Sequence, residues 1–211
     1  MKVPFNDLKR IHDPLRNEFH QALDTILDSS GFVGDTMFAK NFKEYTKSPY
    51  CITCNSGTDA LYLAIKALEL EDNSKIMVPA VSYAATAMAV VNAGHVPVFV
   101  DVNPKTGLID FIDTKIDDDI KCIIIVHLFG QCAHVPRDVE IPIIEDCAQA
   151  HGTFLSGRAF GPKTPQENFA LLAAIIEGKN GSIFIKMTGP KETVESQLSV
   201  LKKMVLDSLD K

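Results

Sequence analysis

Four short stretches set polar or aromatic side chains where an α/β protein could do chemistry. The first is Asn55-Ser56-Gly57-Thr58-Asp59-Ala60-Leu61, between a strand-like apolar run and a helix-like one. A helix N-terminus presents unpaired N–H groups and a partial positive charge, so it binds phosphate readily. Gly57 lets the backbone come close, and Ser56 and Thr58 offer hydroxyls. The same residues also read as an N-cap in a tight turn. The second stretch is Ile143-Ile144-Glu145-Asp146-Cys147-Ala148-Gln149-Ala150-His151-Gly152, an apolar strand that runs into two acids. Ligands of open α/β sheets collect at the carboxyl ends of strands. An ionised Asp146 there could pair with a protonated ring nitrogen of a ligand, or it could cap the next helix.

The third stretch, Pro79-Ala80-Val81-Ser82-Tyr83, puts an aromatic just past a strand end. Tyr83 could stack on a flat heteroaromatic ring or simply pack. The fourth is Val126-His127-Leu128-Phe129-Gly130-Gln131. His127 could be a proton shuttle or a metal ligand, but no carboxylate or second histidine stands at ligand spacing, so an orienting or packing role is expected. Cys51 and Cys54 form a lone CxxC in an apolar stretch with no second pair after it, and are expected to be core thiols.

Positioning these residues requires a particular order of elements. Leu8, Ile11, Leu15, Phe19, Leu23, Ile26 and Leu27 recur at helical steps, predicting an amphipathic helix that ends near Ser29-Ser30-Gly31. A second helix is expected over Thr36 to Tyr45, then a strand over Tyr50 to Cys54. Gly57 opens a helix that is apolar on nearly all sides and therefore buried. Apolar runs at Lys75 to Val78, Val96 to Val100, Cys122 to Val126 and Ile141 to Ile144 lack alternation, as strands covered on both faces do. Tyr83 to Asn92 reads as a helix ending at Gly94. The β-α-β pattern predicts a three-layer α/β/α fold with a mostly parallel sheet.

From Pro162 the character changes. A helix over Gln166 to Glu177, a turn at Gly178 to Gly181, a strand over Ser182 to Met187 and a last helix striped by Val194, Leu198, Leu201, Val205 and Leu209 are expected. The chain thus divides into residues 1–161 and an unrelated α-β-α appendage, 162–211.

Composition narrows the partners. The formal charge of -6 arises from acids scattered among lysines, which argues against nucleic acid and anionic membranes and leaves a small soluble ligand. The longest apolar runs, such as Ala84 to Val91, fall far short of the roughly 20 residues that span a bilayer. The opening MKVPFNDLKR has no apolar signal-like core, so a cytoplasmic location is expected. Five unevenly spaced cysteines give no disulfide framework.

Taken in order, NSGTDAL, VPAVSYAATAMAVVNAGHVPVFVDVNPKTGLID, VHLFGQ and IIEDCAQAHGTFLSGRAFG resemble the large domain of the DegT/StrS nucleotide-sugar aminotransferases, and the opening VPFNDLKR and the SSGFVG segment also fit. The resemblance covers residues 1 to about 161, three quarters of the chain. It implies an aspartate aminotransferase-like large domain, here truncated, with pyridoxal 5'-phosphate (PLP) as cofactor. It further implies a nucleotide-linked keto sugar and glutamate as substrates, in polysaccharide or other cell-surface sugar synthesis, and a homodimer. By position, it implies that Gly57, Thr58 and the neighbouring backbone hold the cofactor phosphate and that Asp59 is also among the cofactor-binding residues. Tyr83 stacks on the pyridine ring, Asp146 pairs with its nitrogen and serves catalysis, and Gln149 lies by the ring's hydroxyl side.

The pattern departs from the family after Gly161. There the family carries an SFxxxK-type motif whose lysine forms the Schiff base, and this sequence reads PKTPQENFALLAAIIEGKNGSIFIK. The family lysine falls near Ala174, and Lys163, Lys179 and Lys186 stand out of context. Nor does a histidine replace it, as in the related sugar dehydratases. Losing the covalent anchor and general base removes normal turnover. A non-catalytic module that pairs with a full-length relative, or a fusion remnant without activity, is the alternative expectation.

Overall fold

The computed structural model describes residues 7–32, 36–46, 48, 50–111, 116–135, 139–150, 153–155, 158–159, 169–178 and 181–190, the last segments from 154 onward as backbone. The chain divides into two compact units, Met1–Thr36 and Met37–Lys211.

In the first unit the predicted amphipathic helix is broken in two. α1 (Leu8–His12) passes through a 3-10 turn, Asp13–Leu15, into α2 (Arg16–Ser29). The break falls at Pro14, which has no N–H to donate and crowds the preceding turn. Asp13 ties the junction by ion pairs to Lys9 and Arg16. α2 stops where expected, because Ser30 takes a left-handed φ of 52° and returns its N–H to Ile26 and Leu27. The apolar stripe remains exposed, from 39% at Leu15 to 61% at Ile11, and the described helices of this unit bury no residue.

The second unit begins with α3 (Thr36–Thr46), whose Phe38 and Phe42 pack with Cys51 against Cys147 and Ala150. β1 (Ile52–Cys54) leads into α4 (Gly57–Lys66), and β2 (Lys75–Pro79) into α5 (Ala85–Asn92). Gly94, at φ 88°, ends α5 in the left-handed conformation that suits glycine. β3 (Val96–Val100), β4 (Ile120–Val126) and β5 (Ile143–Asp146) follow. A small separate hairpin pairs β6 (Phe154–Leu155) with β7 (Arg158–Ala159).

One sheet takes the order β1-β8-β9-β5-β4-β2-β3, where β8 is Phe169–Gly178 and β9 is Gly181–Pro190. β2 pairs parallel with β3 and β4, β4 with β5, and β8 with β1. β9 is antiparallel to both β5 and β8. Six strands therefore share one direction and β9 opposes them, which is the mostly parallel α/β sheet expected. β4 is buried on both faces, with Ile123, Ile124 and Ile125 at 0% exposure, the reason its sequence shows no alternation.

The helix expected over Gln166 to Glu177 is not formed, since Phe169–Gly178 is strand β8, with Ala174 opposite Ile52 and Ile176 opposite Cys54. Its Ala and Leu favour helix in isolation, and the open backbone donors of β1 and β9 on either side override that preference. The expected strand over Ser182 to Met187 lies inside β9. The last helix, placed after Pro190, falls outside the described residues.

Ile124 is expected to be the most sensitive packing position. Ile124→Ala should cost about 3 kcal/mol through lost burial and the cavity left behind, read as a lower urea midpoint at unchanged slope.

Candidate active site

Because β1, β2, β4 and β5 run the same way, the residues after each leave the sheet at one edge. β5, β4 and β2 are neighbours, so their ends lie roughly 5 Å apart in turn. α4 starts just past the end of β1 and runs back over β9, β8 and β1.

Ser56 caps α4 from an extended conformation, its hydroxyl accepting from the Asp59 N–H at 3.2 Å and lying 2.9 Å from the Asp59 carboxylate. That arrangement occupies Asp59. Ala60 donates to the Ser56 carbonyl, and among the described residues the N–H groups of Gly57 and Thr58 are left as the donors that a helix start cannot use internally. The N-cap reading of NSGTD is what these bonds show, and the cap leaves the helix start open to an anion. Cys54, just before it, is a half-buried thiol pushed up to about 12 by burial, with the Asp59 charge next, the opposite of what a reactive thiolate needs.

Tyr83 is 78% exposed in the loop between β2 and α5, so packing does not explain it. Its carbonyl accepts from Thr86 N–H, and Ser82 and Thr86 hydroxyls meet at 2.8 Å. These bonds set the loop while leaving the ring open to a ligand.

Asp146 closes β5 with only 7% of its surface exposed. Burial is the main influence and raises its pKa, opposed by the Ala148 N–H that donates at 3.0 Å and by His127. Among the described residues it forms no ion pair with lysine or arginine. A carboxylate so placed is costly when ionised, and a cation brought by a ligand would relieve it. Gln149, two turns of loop further on, is exposed, and its Oε1 accepts from Phe129 N–H at 2.8 Å.

His127 is wholly buried. Its Nδ1 accepts from Ala133 N–H at 3.1 Å, so the ring proton sits on Nε2 and donates to Glu145 at 3.1 Å. It orients protein groups rather than serving as an open shuttle, and no metal-binding cluster of three or more ligands occurs among the described residues. Glu145 was missed from sequence, although an acid inside the apolar run IIED had to find a partner, and His127 stands one strand away. Lys186 pairs in register with Glu145, whereas Ile185 holds the register of Asp146. Lys163 and Lys179 lie outside the described residues.

A mostly parallel sheet thus places a helix start, an open aromatic and a buried acid along its carboxyl edge, where ligands of open α/β sheets collect. The profile of the DegT/DnrJ/EryC1/StrS aminotransferase family matches residues 14–172, and the chain belongs to that family. The match runs into β8, past the 161 boundary read from sequence. The chain is 34% identical over 170 residues to the dTDP-3-amino-3,6-dideoxy-alpha-D-galactopyranose transaminase of Aneurinibacillus thermoaerophilus, covering 75% of this chain and 47% of that protein. It is 36% identical over 171 residues to the UDP-N-acetyl-3-dehydro-alpha-D-glucosamine 3-aminotransferase of Acidithiobacillus ferrooxidans, covering 75% and 46%. Among solved structures, S. venezuelae DesV in complex with a ketimine intermediate superposes with a TM-score of 0.71 at 29% identity, over 93% of this chain and 56% of that one. NtdA of Bacillus subtilis with bound cofactor PMP gives 0.67 at 25%, over 93% and 47%. The chain spans about half the length of the relatives it matches.

The raised pKa of Asp146 has a stability consequence. Between its unfolded value near 3.8 and its higher folded value, the native state holds a proton that the unfolded chain has released, so the stability this group contributes is lost as pH rises through that window. Asp146→Asn, which cannot ionise, should therefore raise the urea midpoint of the ligand-free protein at neutral pH, with the gain shrinking toward pH 4.

Proposed function

We propose that this chain carries the cofactor-holding part of a PLP-dependent aminotransferase that moves an amino group from glutamate to a nucleotide-linked keto sugar. The observation that carries the proposal is Asp146, a carboxylate 7% exposed at a strand end with no described lysine or arginine to balance it. When bound, PLP supplies an electron sink for chemistry at the amine-bearing carbon.

The chain's own residues divide the binding. Gly57 and Thr58 N–H groups and the Thr58 hydroxyl take the phosphate at the start of α4, with Asp59 bracing the turn through Ser56. Tyr83 covers one face of the ring. Asp146 accepts from the ring nitrogen and holds its proton there. Gln149 reaches toward the ring's hydroxyl side. The cytoplasmic location, the glutamate donor and a homodimer belong to the same proposal, and no helix among the described residues is long and apolar enough to cross a membrane.

The family lysine motif is missing from the sequence between Pro162 and Lys186. That favours a second reading of the same site, in which the chain binds PLP without turnover and partners a full-length relative. Amine transfer by the purified chain contradicts the second reading, and so does failure to pull down an intact aminotransferase.

Titration of the purified chain with PLP, followed by absorbance and fluorescence, should show saturable binding. Tyr83→Ala should weaken it about tenfold through lost stacking, and Thr58→Ala about fivefold through one lost hydrogen bond to phosphate. Borohydride reduction and peptide mapping should leave Lys163, Lys179 and Lys186 unlabelled. Absence of any spectral change removes the cofactor assignment, and a labelled lysine restores a covalent anchor to the chain.

A further inference from the structure

The loop after β4 does something that the cofactor reading does not require. Phe129 sits at φ 56° and ψ 27° with 75% of its surface exposed, a left-handed conformation that costs a bulky residue about 1 kcal/mol or more. Gly130 follows at φ 79°, and a Cβ there would stand 3.3 Å from the Gln149 carbonyl. In this bend the Phe129 N–H donates to Gln149 Oε1, in the loop after β5, at 2.8 Å. The strain persists because both ends of the loop are held. At one end the buried His127 ring accepts from Ala133 N–H at 3.1 Å and is itself anchored on Glu145 of β5 at 3.1 Å. On the far side of the bend Gln131 Nε2 donates to the Thr106 carbonyl at 3.1 Å, and the Thr106 turn is in turn closed by Asn103, whose carbonyl accepts from Gly107 N–H at 2.8 Å.

We propose that His127 is a positioning residue for Gln149, acting by clamping residues 127 to 133 so that the strained Phe129 N–H fixes the Gln149 amide beside Asp146. Where Gln149 touches the cofactor, this rests on the PLP reading; the clamp itself does not. The amide of Gln149 is exposed on a loop, and an exposed side chain with rotamer freedom is a poor ligand group until something orders it. The Phe129 bond supplies that order, and it takes one acceptor site of Oε1 without engaging the amide N–H donors.

The test uses the whole chain and has two arms. In the ligand-free protein, amide hydrogen exchange of Phe129 is followed beside Ile124 in the core. His127→Phe, which removes both ring partners, should lower Phe129 protection about tenfold with Ile124 unchanged. His127→Asn, which keeps an acceptor for Ala133 N–H, should hold it within about threefold of wild type. Gln149→Ala should lower it as His127→Phe does. In the second arm, PLP affinity is measured for His127→Phe alone and in the Gln149→Ala background. About tenfold loss in the first and less than about twofold in the second shows that His127 acts through Gln149. Unchanged Phe129 protection in His127→Phe overturns the proposal, as does the same loss of PLP affinity in both backgrounds. A wild-type chain that takes up no PLP removes the cofactor reading, and the exchange arm still decides the clamp.

Discussion

Parallel pairing is the constraint on which the rest of the structure depends. With β1, β2, β4 and β5 aligned in one direction, each following loop must emerge at the same edge of the sheet, which puts Gly57, Tyr83, His127 and Asp146 on that side. The pairing itself needs strands that can be buried on both faces. The isoleucines of β4 and β5 meet that need, with Ile123, Ile124, Ile125 and Ile144 all fully enclosed. Their burial positions the chemistry several residues away, since a strand that cannot shift its register cannot shift its end.

Two consecutive acids at that edge are treated in opposite ways. Neighbouring residues of a strand face opposite sides of the sheet, so Glu145 and Asp146 enter different surroundings. Glu145 meets the His127 ring inside the protein. Asp146 receives one backbone N–H from Ala148 and some electrostatic help from His127, and the cost of burial outweighs both. A sequence under selection for stability alone would place an uncharged residue there. Burial thus works against the charge of Asp146, while Glu145 and His127 tie β5 to the neighbouring loop.

Much of this was legible in the residues, and the rest was hidden for definable reasons. The strands over Val96–Val100 and Lys75–Pro79 and the helix opening at Gly57 follow from apolar runs and a cap that act locally. The positions of Asp146 and Tyr83 at strand ends were readable because the apolar runs before them stop there. β8 was not, because FALLAAII has helical composition and becomes a strand only through partners distant in sequence. The His127–Glu145 contact was hidden for the same reason, being set by which strand lies beside β4. Phe129 gave no sign of its left-handed backbone, since nothing in its side chain favours that conformation. Pro14 did carry a signal, and the helical period across it was the stronger one only on paper.

The account comes down to whether Asp146 holds a proton on a bound pyridine ring. Nitrogen-15 NMR of the chain loaded with ring-labelled PLP reads that proton directly. At a mildly alkaline pH where free PLP has an unprotonated ring nitrogen, the wild-type complex should show the shift of a protonated pyridinium, and Asp146→Asn should return it to the unprotonated value. A wild-type complex whose ring nitrogen stays unprotonated, or whose shift is the same with and without the Asp146 carboxylate, contradicts the account.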